Sequence, residues 1–488
     1  MKRIGLWAVG LAIPLSLAAQ QPVNVAANAP ITLPTAVDMA LKRSHAATAA
    51  SASLDVARAR ERAFTMRRLP QLSLTGNAPA YDKALQPVTQ QDGTIEFRPV
   101  QRTSMNAGLT LGQQVPWTGA NLSVTSSLQR EEQTRQSVLT RTWTGSPVTF
   151  QIQQPILRPN SQRWNGREET IRLDAAERQF LEAREGVALQ ATEAFFELYI
   201  AQRTLQNATV NAATNDTLYN LNKGRLEIGK IGENDLLQSE LALLRARAAL
   251  DNAKLEYQRR LSAFRLAVNL PVDAPVEIAV PTNVPTFDAD TAVAVVQALR
   301  NRAQISELEL QTVQSKRRVA EARLGGGPGA VLQASVGFNQ PPDSILLYRD
   351  LLQAQRLSIA LQIPVLSWGA RGADVQAARV DQKRVEATTQ QSRLQLAQDA
   401  HFSALQLAQA RRNLEVSAKA DTVAAKRFEV AYNRYVIGKI GIDNLYIAQN
   451  EKDQAVTQYL QGLRNYWLAY YRLRQTTLYD FETNAPIR

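Results

Sequence analysis

"RLEIGKIGENDL", residues 225–236, returns as "RYVIGKIGIDNL", residues 434–445. Gly229 and Gly438 lie 209 positions apart, and the same spacing relates Pro155 to Pro364, Arg203 to Arg412, Leu205 to Leu414 and Tyr257 to Tyr466. A register held from residue 155 to residue 257 is an internal duplication. Upstream the spacing becomes 258: "AVDMALKR" (36–43) resembles "AVVQALRN" (294–301), and Pro70 matches Pro328. The first copy therefore carries 49 additional residues between Pro70 and Pro155. A unit that accepts such an insertion has an exposed region there. The two units run over residues 19–280 and 281–488.

Each unit reads helix, strands, long helix, turn, helix. Residues 35–68 and 290–323 hold no Pro or Gly and are rich in Ala, Arg, Glu and Gln, which predicts one helix in each stretch. Residues 165–222 and 372–433 are nearly free of breakers, Gly186 being an exception, and head helix hairpins over 165–270 and 372–480. Helices of that length reach roughly 85–95 Å and need coiled-coil or tubular packing. The repeated phrase is their point of reversal. Glycine adopts positive φ at a helix C-terminus without steric penalty, which suits Gly229 and Gly232 in one copy and Gly438 and Gly441 in the other. Asn234 and Asp235, or Asp443 and Asn444, are then placed to cap the return helices with side-chain oxygens.

Between the helices the pattern has period two. In the strand region 329–366, Leu357, Ile359, Leu361, Ile363 and Val365 alternate with Ser358, Ala360, Gln362 and Pro364, and Leu332, Ala334, Val336 and Phe338 repeat the pattern. Val148, Phe150 and Ile152 do the same in the strand region 69–157. Such alternation fits a membrane β-barrel strand, and also a half-buried strand of a soluble sandwich. Within the insertion, Leu109, Leu111 and Val115 precede "PWTG" (116–119), and Leu122, Val124, Ser126 and Leu128 follow it. This reads as an extra hairpin, which makes six strands per chain instead of four; a long surface loop is the rival. Trp117 and Trp368 take similar places after Pro116 and Pro364, as interfacial aromatics on one membrane side would.

Composition narrows the function. The 488 residues include no Cys and only two His, His45 and His401, at a formal charge of +12. Disulfides, thiolate chemistry and Cys-based metal sites are excluded, and the two histidines sit apart in helix-like sequence. No Ser/His/Asp set or metal-spaced cluster is found, and "GGGPG" (325–329) lacks the Lys-Ser/Thr of a phosphate loop and reads as a helix-to-strand junction. Neither catalysis nor a cofactor is implied. Lys2 and Arg3, the apolar run Ile4–Leu17 and Ser16-Leu17-Ala18 read as a signal peptide over 1–18, with no Cys after it to carry lipid. Beyond it no apolar run reaches the 18 or so residues of a spanning helix, so any membrane entry is by strands. The basic residues are interleaved with Glu, Asp and Gln along helices, as on solvated faces, and form no nucleic-acid stripe.

The duplicated helix–strand–helix unit, the strand ends "QIQQPIL" and "ALQIPVL" and the tips "RLEIGKIGENDLL" and "RYVIGKIGIDNLY" together resemble the TolC-like outer-membrane efflux protein family. The resemblance implies a mainly α fold with membrane β-strands. Three chains would pool their strands in one outer-membrane β-barrel, continued by a long α-helical barrel through the periplasm of a Gram-negative-type bacterium. It implies the exit duct of a tripartite efflux or type I secretion system, fed by an inner-membrane pump of RND, ABC or MFS type. In the family a Val-Gly-Leu/Thr triplet at each tip meets a periplasmic adaptor; Ile228-Gly229-Lys230 and Ile437-Gly438-Lys439 stand there, and Lys is the departure in both. The family's gate aspartates fall on Asn444 and Ile447. Asp235 and Asp443 are the carboxylates nearby, read either as a periplasmic constriction or as helix caps. Tyr435 matches a tyrosine that holds the family's tip closed, while the position of its arginine partner is Ile440. The competing reading is an exported coiled-coil protein with structural or binding duties, which needs neither alternating strands nor such tips.

Overall fold

The computed structural model of the chain describes residues 30–90, 92–135, 138–280, 284–285, 287–340 and 351–487; the expected signal peptide lies outside the described residues. The chain opens with a short strand, β1 (Ile31–Thr32), and two helices, α1 (Leu33–Arg43) and α2 (His45–Met66). One helix was expected over 35–68, and Ser44 divides it. Its backbone is extended (φ −66°, ψ 149°), and its N–H closes α1 on the Ala40 carbonyl while its Oγ accepts from the Ala47 N–H, capping α2. Arg302, 258 positions on, divides the matching helix of copy two in the same way (φ −63°, ψ 137°). There the N–H of Ala303 donates to Glu182 at 2.9 Å, a neighbouring helix supplying the cap that Arg302 cannot.

Four long strands follow: β2 (Gln71–Thr89), β3 (Ile95–Gln114), β4 (Asn121–Arg135) and β5 (Val138–Ile156). Then come α3 (Ser161–Glu227), α4 (Glu233–Ala267), β6 (Ile278–Ala279), α5 (Thr291–Asn301) and α6 (Ala303–Gly325). The second copy supplies β7 (Gly329–Asn339), β8 (Leu352–Gln362), α7 (Ala370–Val436) and α8 (Ile442–Thr477), and the chain closes with β9 (Tyr479–Asp480) and β10 (Ala485–Pro486). Both α3 and α7 have 67 residues and begin and end 209 positions apart, so the duplication survives as geometry. At 1.5 Å per residue each is about 100 Å long.

Six strands form the main antiparallel sheet, in the order β2-β3-β4-β5-β7-β8, while β1 with β6, in parallel, and β9 with β10 form two small separate pairs. The "PWTG" segment is the turn expected between β3 and β4: the Val115 N–H donates to Ala120 and the Gly119 N–H to Val115, both at 2.8 Å, with Gly119 at φ +78°. The strands of copy one run 15 to 20 residues against 11 in copy two, so the insertion lengthens existing strands as well as adding a hairpin. Ile363 and Val365 do not extend the face of β8, which stops at Gln362, ahead of Pro364; proline has no N–H to continue a ladder.

All four chain passages between sheet and helices lie at one end of α3 and α7, and the repeated turns lie at the other. Along the stretch between, α3 and α7 are flanked by α2 and α6 on the sheet side and by α4 and α8 on the turn side. The main core lies partway along this rod. Phe195, Phe196 and Phe264 are fully buried and meet edge to face, with centroids 5.4 and 6.3 Å apart, and α1 and α5 add Leu33, Ala36 and Ala294. The Tyr466 hydroxyl of α8 donates to the Pro285 carbonyl, between α4 and α5, at 2.8 Å, tying that stretch to the same core.

Candidate functional site: the hairpin turns and the sheet belt

Each turn is built from the helix end outward. The Gly229 N–H donates to Leu226 and the Lys230 N–H to Arg225, both at 2.8 Å; the Gly438 N–H donates to Tyr435 at 2.9 Å and the Lys439 N–H to Arg434 at 2.8 Å. This paired pattern, with glycine at φ +67° and +76°, is the Schellman termination, and it satisfies carbonyls that the helix would leave free. It sets Ile228 and Ile437 at the apex, 66% and 64% exposed, with Lys230 and Lys439 exposed beside them. The six residues read from sequence as docking elements thus share one geometry in two copies.

The expected aspartate caps are absent. Gly232 and Gly441 occupy the N-cap positions of α4 and α8, and neither helix has a side-chain cap. Asp235 is the third residue of α4 and Asp443 the second of α8, in the first turns, where a carboxylate meets the positive end of the helix dipole. Asp443 also accepts from Gln238 Nε2 of α4 at 2.6 Å, which joins the two turns.

Tyr435 is buried beneath the turns, 4% exposed, and its hydroxyl donates to Asn222 Oδ1 at 2.5 Å. Asn222 Nδ2 donates to Ser239 Oγ at 2.5 Å, and Ser239 Oγ donates to the Asp235 carbonyl at 2.7 Å. An arginine of the other copy also meets Tyr435: the Arg225 guanidinium lies 5.0 Å from the Tyr435 ring centroid and donates to the Val436 carbonyl at 2.9 Å. Leu218, Ile442 and Leu445 seal the cluster. Asn222, Ser239 and Arg225 were not singled out in the sequence. A signal was present: the matching residues 209 positions on from Asn222 and Ser239 are Ala431 and Ala448, and Leu226 matches Tyr435. At these turns, Asn222 and Ser239, polar in one copy only, lie where the two copies meet.

At the far end the sheet carries a continuous apolar face. Leu72, Leu111, Val124, Phe150 and Val336 stand opposite one another across five strands, and Leu332 and Ala334 face Ile359 and Leu357 on the sixth. Among the described residues no helix covers this face: Leu74 and Leu357 are 77% and 74% exposed. The other face carries Ser73, Thr110, Thr125 and Thr149 in one row and Ser123, Gln151, Ser335 and Arg356 in another. The exposed Trp117 lies in the turn held by Asn160, the N-cap of α3, which donates to the Trp117 carbonyl at 3.1 Å. The exposed Trp368 lies just before α7, so both indoles sit where sheet gives way to helix. Among the described residues no helix is long and apolar enough to cross a membrane, and no group of three or more His, Cys, Asp or Glu could hold a metal ion.

The outer membrane efflux protein family model matches residues 121–270, from β4 through the first turn to the end of α4. Over the whole chain the structure is similar to the CmeC outer membrane channel of Campylobacter jejuni, with 16% identity and a TM-score of 0.67 over 100% of this chain and 95% of that one. It is similar to the open state of the MtrE outer membrane channel of Neisseria gonorrhoeae (15% identity, TM-score 0.62, 93% and 89% covered) and to the outer membrane protein VceC of Vibrio cholerae (15%, 0.63, 93% and 97%). No curated protein matches the chain by sequence. The resemblance read from the duplicated unit, its strand ends and its turns is therefore matched by the fold, which these channels share over 93–100% of the chain.

Proposed function

We propose that this chain is one protomer of a trimeric outer-membrane channel, the exit duct of an efflux or secretion system whose inner-membrane pump supplies the energy. The observation that carries this reading is the uncovered apolar belt on a sheet with two free edges. In lipid every backbone N–H and C=O needs a partner, so six strands with open edges at β2 and β8 require another sheet. Single-chain barrels start at about eight strands, and three copies of six close an even-numbered barrel of about eighteen. The polar face would line a wet lumen, and Trp117 and Trp368 would sit at the periplasmic interface.

The helices support the same assembly. The free flanks of the layer beyond the core are α4 and α7. Leu237, Leu241 and Leu244 lie exposed on α4, and Val416, Val423 and Val430 at seven-residue spacing on α7. Such a stripe suits helix packing against a neighbouring copy, which extends the barrel as a tube of about 100 Å through the periplasm. The turns at its far end dock a periplasmic adaptor through Ile228, Gly229, Lys230, Ile437, Gly438 and Lys439. Three copies each of Asp235 and Asp443 then narrow the entrance, with Tyr435 holding the turns in place.

The mass of the detergent-extracted protein by native mass spectrometry, with conductance of the same sample in planar bilayers, tests this. Three chains and discrete conductance steps are expected. A soluble monomer without conductance would overturn the reading and leave an exported coiled-coil protein.

A further inference from the structure

The apolar face of the sheet ends where charge begins. Along β4 this face carries Leu122, Val124, Ser126 and Leu128, and along β3 Leu111, Leu109, Ala107 and Met105, none of them charged. The next position on β4 is Arg130, opposite Met105 of β3 and Trp143 of β5. Eight residues of strand separate Arg130 from Leu122, about 26 Å, close to the apolar band of about 25 Å on outer-membrane barrels.

Four side chains meet at that limit. Glu132 stands opposite Arg141 of β5 and accepts from the Arg141 Nε at 2.7 Å and from the Arg130 guanidinium. The Arg130 guanidinium also lies 5.6 Å from the Trp143 ring centroid. Trp143 thus stands toward the end of the band opposite to Trp117 and Trp368. On the other face of the same strands charge is balanced, Arg102 meeting Glu131 one to one at 2.9 Å. On the apolar face two arginines share one carboxylate, and Arg141 is half exposed. Lys83 of β2, exposed and opposite Gln101, adds a third cation to this face. Among the described residues of β2 to β5, Glu132 is the one carboxylate on it. Exposed ion pairs contribute little to a sheet, and one arginine would have satisfied Glu132.

We propose that Arg130 and Arg141 form a binding site for the phosphate groups of lipids in the outer leaflet. The site depends on the sheet lying in a membrane as proposed, and it adds the chemistry of the lipid that the sheet meets. At this depth hydrocarbon gives way to headgroups, where an indole such as that of Trp143 settles. Each guanidinium offers paired N–H donors that match phosphate oxygens. Glu132 holds the two forks side by side and still leaves a net positive charge.

The test mixes the full-length, detergent-extracted and delipidated protein with diphosphorylated lipid A or its dephosphorylated form, and counts bound lipid by native mass spectrometry. The wild-type protein should retain the phosphorylated form about tenfold more strongly, one decade in affinity. Arg130→Gln with Arg141→Gln should lose most of that preference, and Arg102→Gln, on the other face, should keep it. Glu132→Gln separates binding from structure. If the cluster only braces the sheet, losing the carboxylate acts like losing the arginines; at a phosphate site the preference holds or rises. Equal retention of the two lipids by the wild-type protein, an undiminished preference in the double arginine variant, or a loss in Glu132→Gln as large as in that variant overturns the proposal while the channel stands. A soluble chain that takes up neither lipid removes the membrane reading as well.

Discussion

Single side chains hold this molecule together where its two copies meet. Arg474 of α8 reaches Glu185 of α3 through two bonds of 3.0 and 3.2 Å and Asp480 of β9 through one of 2.9 Å. Burial by itself would lower the Arg474 pKa, but Glu185 and Tyr470 more than offset it and hold the guanidinium firmly charged. Removing one partner of a buried pair leaves the other charge without compensation. Arg474→Met should therefore cost about 3–5 kcal/mol, seen as a large drop in Tm, while Arg474→Met combined with Glu185→Leu should recover part of it, Asp480 still lacking its partner. A single variant that melts like the wild-type protein would show that water reaches Glu185. At the turns, Tyr435→Phe removes the donor to Asn222 and should cost about 1 kcal/mol. It should also raise amide hydrogen exchange at residues 222–239 relative to the core helices, and unchanged exchange there would refute the idea that Tyr435 ties the copies together.

The elements respond to change according to their backbone. Gly229→Ala and Gly438→Ala place a Cβ at positive φ and should each destabilise the turn by about 1 kcal/mol, whereas serine at Gly232 or Gly441 should not. Circular dichroism melts of the four variants separate the two kinds of glycine. In α8, burial pushes the Tyr466, Tyr470 and Tyr471 hydroxyls up to about 12 from an ordinary value of 10.0. The unfolded chain loses these protons at lower pH than the folded one does, so their contribution is intact below pH 10 and is lost as pH rises toward 12. Melting the detergent-solubilised protein from pH 9 to 12 should show Tm falling across that window, and Tyr471→Phe should flatten the fall. A flat profile in the wild-type protein would mean the tyrosines are hydrated.

For the whole molecule, the proposed trimer would bring together six acidic side chains, three each of Asp235 and Asp443, at the entrance we propose. Replacing both with Ala should raise conductance and weaken cation preference in planar bilayers. Unchanged conductance would keep the channel and reduce both residues to first-turn acids that favour the helix dipole. The architecture that makes such a test meaningful was legible at the level of repeats. Spacings of 209 and 258 placed both copies, "IGKIG" marked both reversals, and alternating residues from Leu332 to Leu361 assigned strands that pair in a shared apolar belt.

Those features are legible because they depend on near neighbours. Positive φ at Gly229, period two along β7 and the helical preference of Ala-rich stretches are set by the residue and its immediate chain. Contacts between distant segments follow other rules. Ser44 and Arg302 break their helices although neither is Pro or Gly, because α1 and α5 turn aside to bury Leu33, Ala36 and Ala294 in the core around Phe195. Asn222 looks like any polar helix residue until Tyr435, 213 positions away, is placed against it. Gly232 looked like part of a turn until its φ proved ordinary and the space beside it empty. Local order is written in succession along the chain, and partnership is settled only when the two copies pack side by side.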